Sequence, residues 1–193
     1  KIKKNTVEIN NLLKESLDGI IVCASPESSF YISKKLINFN GMILFEKPVG
    51  LNLAETSKIY NLYKNKNNFF VALNRRYYHS VLLSKKLLEK SKQKKLITIY
   101  DQENTILAKK IGHHNKTIKN WMYANSVHLV DLINFFIKSK INSIVSNKKN
   151  YKNSSIYNSN IKFKNGDEVE FKSFWNMPGP WKIDIFTKSI FIQ

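Results

Sequence analysis

The segment 19–50, GIIVCASPESSFYISKKLINFNGMILFEKPVG, constrains the fold more than any other part of the chain. Two apolar runs, 19–23 and 42–45, stand one helix length apart, and the second ends in Glu46-Lys47-Pro48. Apolar strands alternating with helices imply parallel pairing in a doubly wound sheet. Open sheets of this kind bind ligands outside the carboxyl ends of their strands. An acid and a base at such an end therefore mark a site.

The same rhythm extends to either side. Val7, Ile9, Leu12 and Leu13 give a helix over 6–16. Pro26 breaks the first strand, and Ser28 or Ser29 is placed to cap a helix running to about residue 38. Gly41 closes that helix, 53–64 is another amphipathic helix, and 69–73 is a third strand. After Arg76 the pattern changes. A helix over 80–91 leads to a strand over 96–100, an irregular polar stretch to 120, and a strong helix over 124–137. Ile161 and Phe163 then alternate into Asn165-Gly166 and out through Val169 and Phe171, a hairpin signal. Pro178-Gly179-Pro180 marks a turn, and Trp181, Ile183 and Ile185 alternate again. The expected fold class is α/β followed by α+β, with a largely antiparallel open sheet in the second part.

A chain of 193 residues, 42% hydrophobic, makes one large domain or two small ones with a sizeable core. No apolar run approaches the roughly 20 residues that span a bilayer, and no signal peptide opens the chain. The expectation is a soluble cytoplasmic protein without a membrane partner. The lone Cys23 cannot form an internal disulfide, which fits a reducing compartment. The net charge of +18 invites a nucleic-acid reading. Yet Arg75 and Arg76 are the only arginines among 32 basic residues, and the lysines are scattered through a sequence rich in asparagine and isoleucine. No helix-turn-helix, zinc-finger spacing or aromatic-basic motif accompanies them, so compositional bias is the reading and no nucleic-acid partner is expected. His113 and His114 are adjacent, with no cysteine or carboxylate at ligand spacing, so no metal site is expected. The start at Lys1 and the end inside the apolar run 189–193 give the expectation of a fragment of a longer protein.

SPESSF after one strand, FEKPVG after the next, VALNRRY after the third and a helix bearing NSVHLVD, in this order over 19–132, resemble the glucose-fructose oxidoreductase and inositol dehydrogenase family (Gfo/Idh/MocA). The resemblance implies the C-terminal part of a Rossmann dinucleotide-binding domain over 1–76 and the N-terminal part of an α+β substrate and oligomerisation domain over 77–193. It implies an oxidoreductase using NAD or NADP that interconverts a secondary alcohol and a ketone on a sugar, nucleotide sugar or cyclitol, and a homo-oligomer. No G-x-G-x-x-G occurs. The glycine-rich turn belongs to the first strand-helix unit of such a domain, so roughly 30 residues or more are expected upstream.

Hydride transfer needs a base for the hydroxyl proton and a donor that polarises the oxygen. Lys47 suits the donor, since Pro48 disfavours a helical conformation before it and lets the side chain project from an extended strand end. By the resemblance Lys47 bridges substrate and nicotinamide ribose, with Glu46 nearby. His128 is the candidate acid/base. Asn125, His128 and Leu132 share a helical face, and Asp131, three residues on, is within reach to orient the ring. The family commonly carries an Asp one turn before this His, where Ala124 stands here; Asn125 takes part of its polar role, or the reaction differs or is absent. Ser25 and Pro26 lie beside the cofactor by resemblance. Asn74, Arg75 and Arg76 follow the third strand, where an arginine fork could hold a carboxamide, phosphate or substrate oxygen. Asn74 and Arg75 are assigned to cofactor, and Arg76, Trp121, Tyr123 and Asn125 to substrate. The plain alternatives are a surface lysine, a packed histidine and a simple Ser25-Pro26 turn. At the level of the protein they are a weakened relative that binds a sugar or nucleotide as sensor or scaffold, and a basic nucleic-acid binder.

Overall fold

The computed structural model describes residues 8–193, which divide into two compact units at Ala72/Leu73. In the first, β1 (Gly19–Val22), β2 (Met42–Phe45) and β3 (Phe69–Val71) form a parallel sheet in the order β1-β2-β3, with Ile20 opposite Ile43 and Ile43 opposite Phe69. The connections are α2 (Pro26–Lys35) and α3 (Leu53–Tyr63). Pro26 opens α2 at a position whose missing N–H is not needed, and its fixed φ suits the first turn. The capping residue is therefore Ser25, in extended conformation, rather than Ser28 or Ser29, and α2 ends at Lys35, short of residue 38. Asn52 caps α3 by accepting from the Glu55 N–H at 2.9 Å, while the Glu55 carboxylate accepts from the Leu51 N–H at 2.9 Å. Val22, Leu36, Ile43, Phe45, Ile59 and Tyr63 form the core of this unit. The Tyr63 ring stacks on Phe69 at 4.0 Å and its hydroxyl donates to the Ser33 carbonyl; burial pushes its pKa up to about 12. On the opposite face Ile21 and Phe70 are exposed. The first helix, α1 (Ile9–Leu12), is shorter than the expected 6–16, and of that span Thr6 and Val7 lie outside the described residues.

The second unit opens with a 3-10 turn, Asn74–Tyr77, followed by α4 (His79–Ser91), β4 (Leu96–Glu103), α5 (Thr105–Lys110) and α6 (Asn115–Lys119). A π-helical turn, Met122–Ser126, runs into α7 (Val127–Phe136). The chain then forms β5 (Ile141–Asn150), β6 (Ser155–Phe163), β7 (Glu168–Trp175), β8 (Lys182–Phe186) and β9 (Phe191–Ile192). The sheet order is β5-β6-β7-β4-β8-β9; only β4 and β7 pair in parallel. Asn165-Gly166 turns the chain between β6 and β7, with Gly166 at φ +83°. Ile97 and Ile99 of β4 pack with Leu129, Ile133, Val169, Phe171 and Ile185 in the core. Because side chains alternate along a strand, Asp101 and Glu103 continue on that same inward face.

Three further stretches differ from the sequence pattern. β4 runs to Glu103 because Asp101 and Glu103 pair with Ser173 and Trp175 of β7, so a neighbouring strand rather than local apolarity extends it. The stretch up to 120 holds two short helices; Asn104 caps α5 by accepting from the Leu107 N–H, and Gly112 follows it at φ +95°. β5 is exposed throughout, so its serine, asparagine and lysine residues carry no burial alternation, yet it pairs with β6 along its length.

Candidate active site

In the first unit the strand ends hold the expected residues in pairs. Glu46 extends the ladder one step beyond β2, its N–H donating to the Val22 carbonyl at 2.9 Å, while the Ala72 N–H reaches the Phe45 carbonyl at 2.8 Å. This fixes Lys47 at the carboxyl edge of a parallel sheet. Glu46 is exposed, Lys47 half-buried and Pro48 buried, and the Lys47-Pro48 peptide is cis. Ser25, at the head of α2, has its hydroxyl 3.0 Å from that of Ser28. A hydroxyl, a carboxylate and an ammonium suit the ribose and carboxamide end of a dinucleotide; the glycine-rich cradle for a pyrophosphate is not in this sequence.

In the second unit the structure gathers a polar network around two buried carboxyl groups, Asp101 and Glu103, which are 0% and 1% exposed. Asp101 accepts from the Ser126 and Ser173 hydroxyls at 2.8 and 2.7 Å and from the Trp181 indole at 3.2 Å. Glu103 accepts from the Trp121 indole and from the Asn125 amide at 2.9 and 3.0 Å, with the Ser126 hydroxyl also 3.0 Å away. Trp121 and Asn125 thus converge on Glu103. Burial first, then the Asp101 charge, pushes the Glu103 carboxyl up to about 7.

The two arginines serve different partners. Arg76 grips both oxygens of Asp131 with its fork, a bidentate pair whose hydrogen bonding raises the guanidinium pKa. Asp131 is thereby engaged by Arg76, and His128, 6% exposed, lies one turn before it on α7. Arg75 stacks on Trp181, its guanidinium carbon 3.6 Å from the ring centroid, and burial lowers its pKa. Its Nη1 is buried without a hydrogen-bond partner among the described residues, beside a cavity of about 260 Å³ lined by Tyr78, Leu129, Leu132, Phe136 and Trp181. Asn74 and Tyr123 are exposed; the exposed His113 meets the Trp121 ring edge-on at 5.0 Å.

Sequence reasoning missed Asp101, Glu103, Ser126, Ser173 and Trp181. The usable signal was the alternation Ile97, Ile99, Asp101, Glu103, which carries two acids into an inward face.

No protein-family model matches this chain, and no curated relative does. Solved structures do. A dehydrogenase from Chromobacterium violaceum aligns over 95% of this chain and 55% of its own, at 14% identity and a TM-score of 0.75. A myo-inositol dehydrogenase from Lactobacillus casei, in complex with NAD(H) and myo-inositol, aligns over 95% and 57%, at 12% identity and 0.73. For the myo-inositol 2-dehydrogenase of Lactobacillus plantarum the values are 97%, 60%, 15% and 0.72. The chain has the fold of Gfo/Idh/MocA-type dehydrogenases, a Rossmann-like parallel unit plus a second unit built on a mixed sheet. It spans a little over half the length of these structures.

Proposed function

We propose that the protein is an NAD- or NADP-dependent oxidoreductase that interconverts a secondary alcohol and a ketone on a sugar, nucleotide sugar or cyclitol. The observation that carries this reading is Glu46-Lys47-Pro48 at the carboxyl edge of the parallel sheet, on a fold shared with dehydrogenases. Bound nicotinamide supplies the hydride acceptor or donor. Ser25, Pro26, Glu46 and Lys47 in the first unit, with Asn74 and Arg75 in the second, are the proposed cofactor contacts. Lys47 donates to the substrate oxygen and stabilises its developing charge. His128 takes the hydroxyl proton in the oxidative direction. The unsatisfied Nη1 of Arg75 supports a ligand oxygen at that donor, since a buried unpaired donor is costly. Arg76, Trp121 and Asn125 are held by carboxylates, which supports a role in shaping the substrate region. Tyr123 is proposed to contact substrate directly.

The test is turnover of the full-length protein with either nicotinamide cofactor and a panel of cyclitols, sugars and nucleotide sugars. His128→Ala is expected to lower kcat by about 10²- to 10⁴-fold with cofactor affinity nearly unchanged. Lys47→Met keeps most of the side-chain volume, removes the donor and also lowers kcat. Near-normal turnover in both variants overturns the assignment. The buried Ala124 supports a second reading, binding without turnover as a sensor or scaffold. That reading is the one left if ligands bind and no substrate in the panel reacts.

A further inference from the structure

We propose that Asp101 and Glu103 share a single proton through Ser126, and that this pair holds the π-helical turn, and with it the start of the helix carrying His128, in position. The inference rests on the dehydrogenase reading only for the consequence to catalysis; the proton itself follows from counting hydrogens. Ser126 Oγ lies 2.8 Å from Asp101 Oδ2 and 3.0 Å from Glu103 Oε1. A hydroxyl has one hydrogen to donate. If both carboxyl groups were ionised, one of the two contacts would set lone pair against lone pair inside a buried site, where an unsatisfied polar contact is most expensive. One proton on Glu103 resolves the arrangement: Glu103 donates to Ser126, and Ser126 donates to Asp101. Asp101 then accepts three donors, from Ser126, Ser173 and Trp181, and is the anion of the pair. The Ser173 hydroxyl, free to donate, accepts in turn from the Trp175 indole at 2.7 Å. Burial, the charge of Asp101 and a side-chain hydrogen bond between the two acids displace the Glu103 carboxyl upward, to about 7, so the pair meets directly as well as through Ser126.

The pair reaches the proposed catalytic residue through a short rigid path. Glu103 holds Trp121 and Asn125, and both acids hold Ser126; the π turn so anchored passes directly into α7, whose second residue is His128. A π turn is a rare local widening of a helix, frequently found at functional sites, and here its Asn125 and Ser126 side chains are bonded to the two acids. Loss of the proton would place two negative charges two residues apart on one strand face and release Ser126 from one of them. The charged and titratable groups around the pair are few. Arg75, on the 3-10 turn, stacks on Trp181 and couples electrostatically to both carboxyls, with Tyr78 beside it. His113 lies edge-on to Trp121. Asp131 of α7 is neutralised by Arg76. From β7 only the neutral Ser173 and Trp175 take part.

The test is a pH titration of the 193-residue chain, following glutamate side-chain carbons and the His128 imidazole by NMR. One glutamate should titrate near pH 7 and vanish from the spectrum of Glu103→Gln, whose amide reproduces the protonated side chain. The His128 signal should show an inflection at that same pH, absent in Glu103→Gln. Ser126→Ala keeps both acids and fits the same space; the glutamate should still titrate above the ordinary range while the His128 inflection at that pH weakens, since only the Trp121 and Asn125 contacts then join Glu103 to the turn. In the full-length enzyme, kcat/KM should fall on the alkaline side with a midpoint near 7, and Glu103→Gln should remove that limb. If every glutamate titrates below pH 5.5, or if His128 follows the titration equally well in Ser126→Ala, the proposal is overturned. A chain with the expected titration but no turnover counts against the dehydrogenase reading and upholds the pair.

Discussion

At Glu103 three effects act in the same direction. Burial disfavours the charged form, and Asp101, two residues earlier on the same strand face, adds like-charge repulsion and a hydrogen bond that favours the protonated carboxyl; the Asn125 and Trp121 donors oppose all three and lose. The folded carboxyl stands near 7 against 4.5 for an ordinary glutamate, so between those pH values the folded state binds more protons than the unfolded chain. Stability from this group is therefore complete below pH 4.5, declines as the pH rises to about 7, and is level above. The span is on the order of 3 kcal/mol. Glu103→Gln has no proton to lose. The difference in urea midpoint between the two proteins should shift steadily in the variant's favour from pH 5 to 7.5, and a constant difference would move the titration to some other group. Arg76 and Asp131 stand in contrast. That pair needs no shared proton, because a guanidinium fork satisfies both oxygens of one carboxylate.

Among the elements, the β6–β7 hairpin offers the most direct test of a local rule. Gly166 sits at φ +83°, where a side chain is strained whatever the space around it, and an added Cβ would meet the Lys94 side chain at 2.9 Å. Lysine can swing aside, so backbone strain dominates and Gly166→Ala should lower stability by about 1 to 2 kcal/mol in urea unfolding. A neutral effect would mean that the turn has relaxed to another type. This hairpin was legible because Asn-Gly imposes its geometry locally. The β1, β2 and α3 segments were legible for a related reason, since their apolar residues are also the core of the first unit. β5 was not, because its stability comes from pairing with β6 and both its faces meet solvent. Nor was the π turn, whose hydrogen-bond partners, Asp101 and Glu103, lie more than twenty residues away. Among the proposed site residues, Lys47 and His128 could be singled out by residue type and context. The acid pair could not, because its function depends on burial that only tertiary packing supplies.

For the molecule as a whole, the net charge of +18 raises the question of which lysines do more than keep the chain in solution. Two roles separate cleanly in the second unit. Lys95 makes an ion pair with Asp167 at 3.0 Å, and Asp167, 1% exposed, also accepts from the Lys95 N–H and the Asn165 amide beneath the hairpin. Lys86, Lys90, Lys109 and Lys110 are exposed. Surface substitutions away from packed or paired groups usually change stability by no more than about 0.5 kcal/mol. Replacing these four with glutamine should stay within that range, leave full-length turnover within about twofold, and lower retention on a cation exchanger. Lys95→Gln removes a single charge yet should cost about 1 to 3 kcal/mol, because it strips a charge partner from a buried carboxylate. If the fourfold variant instead lost turnover together with a salt-dependent affinity for DNA or RNA, its lysines would be contacts to phosphate rather than solvated surface. The charge would then describe a binding face, and the nucleic-acid reading would displace the dehydrogenase one.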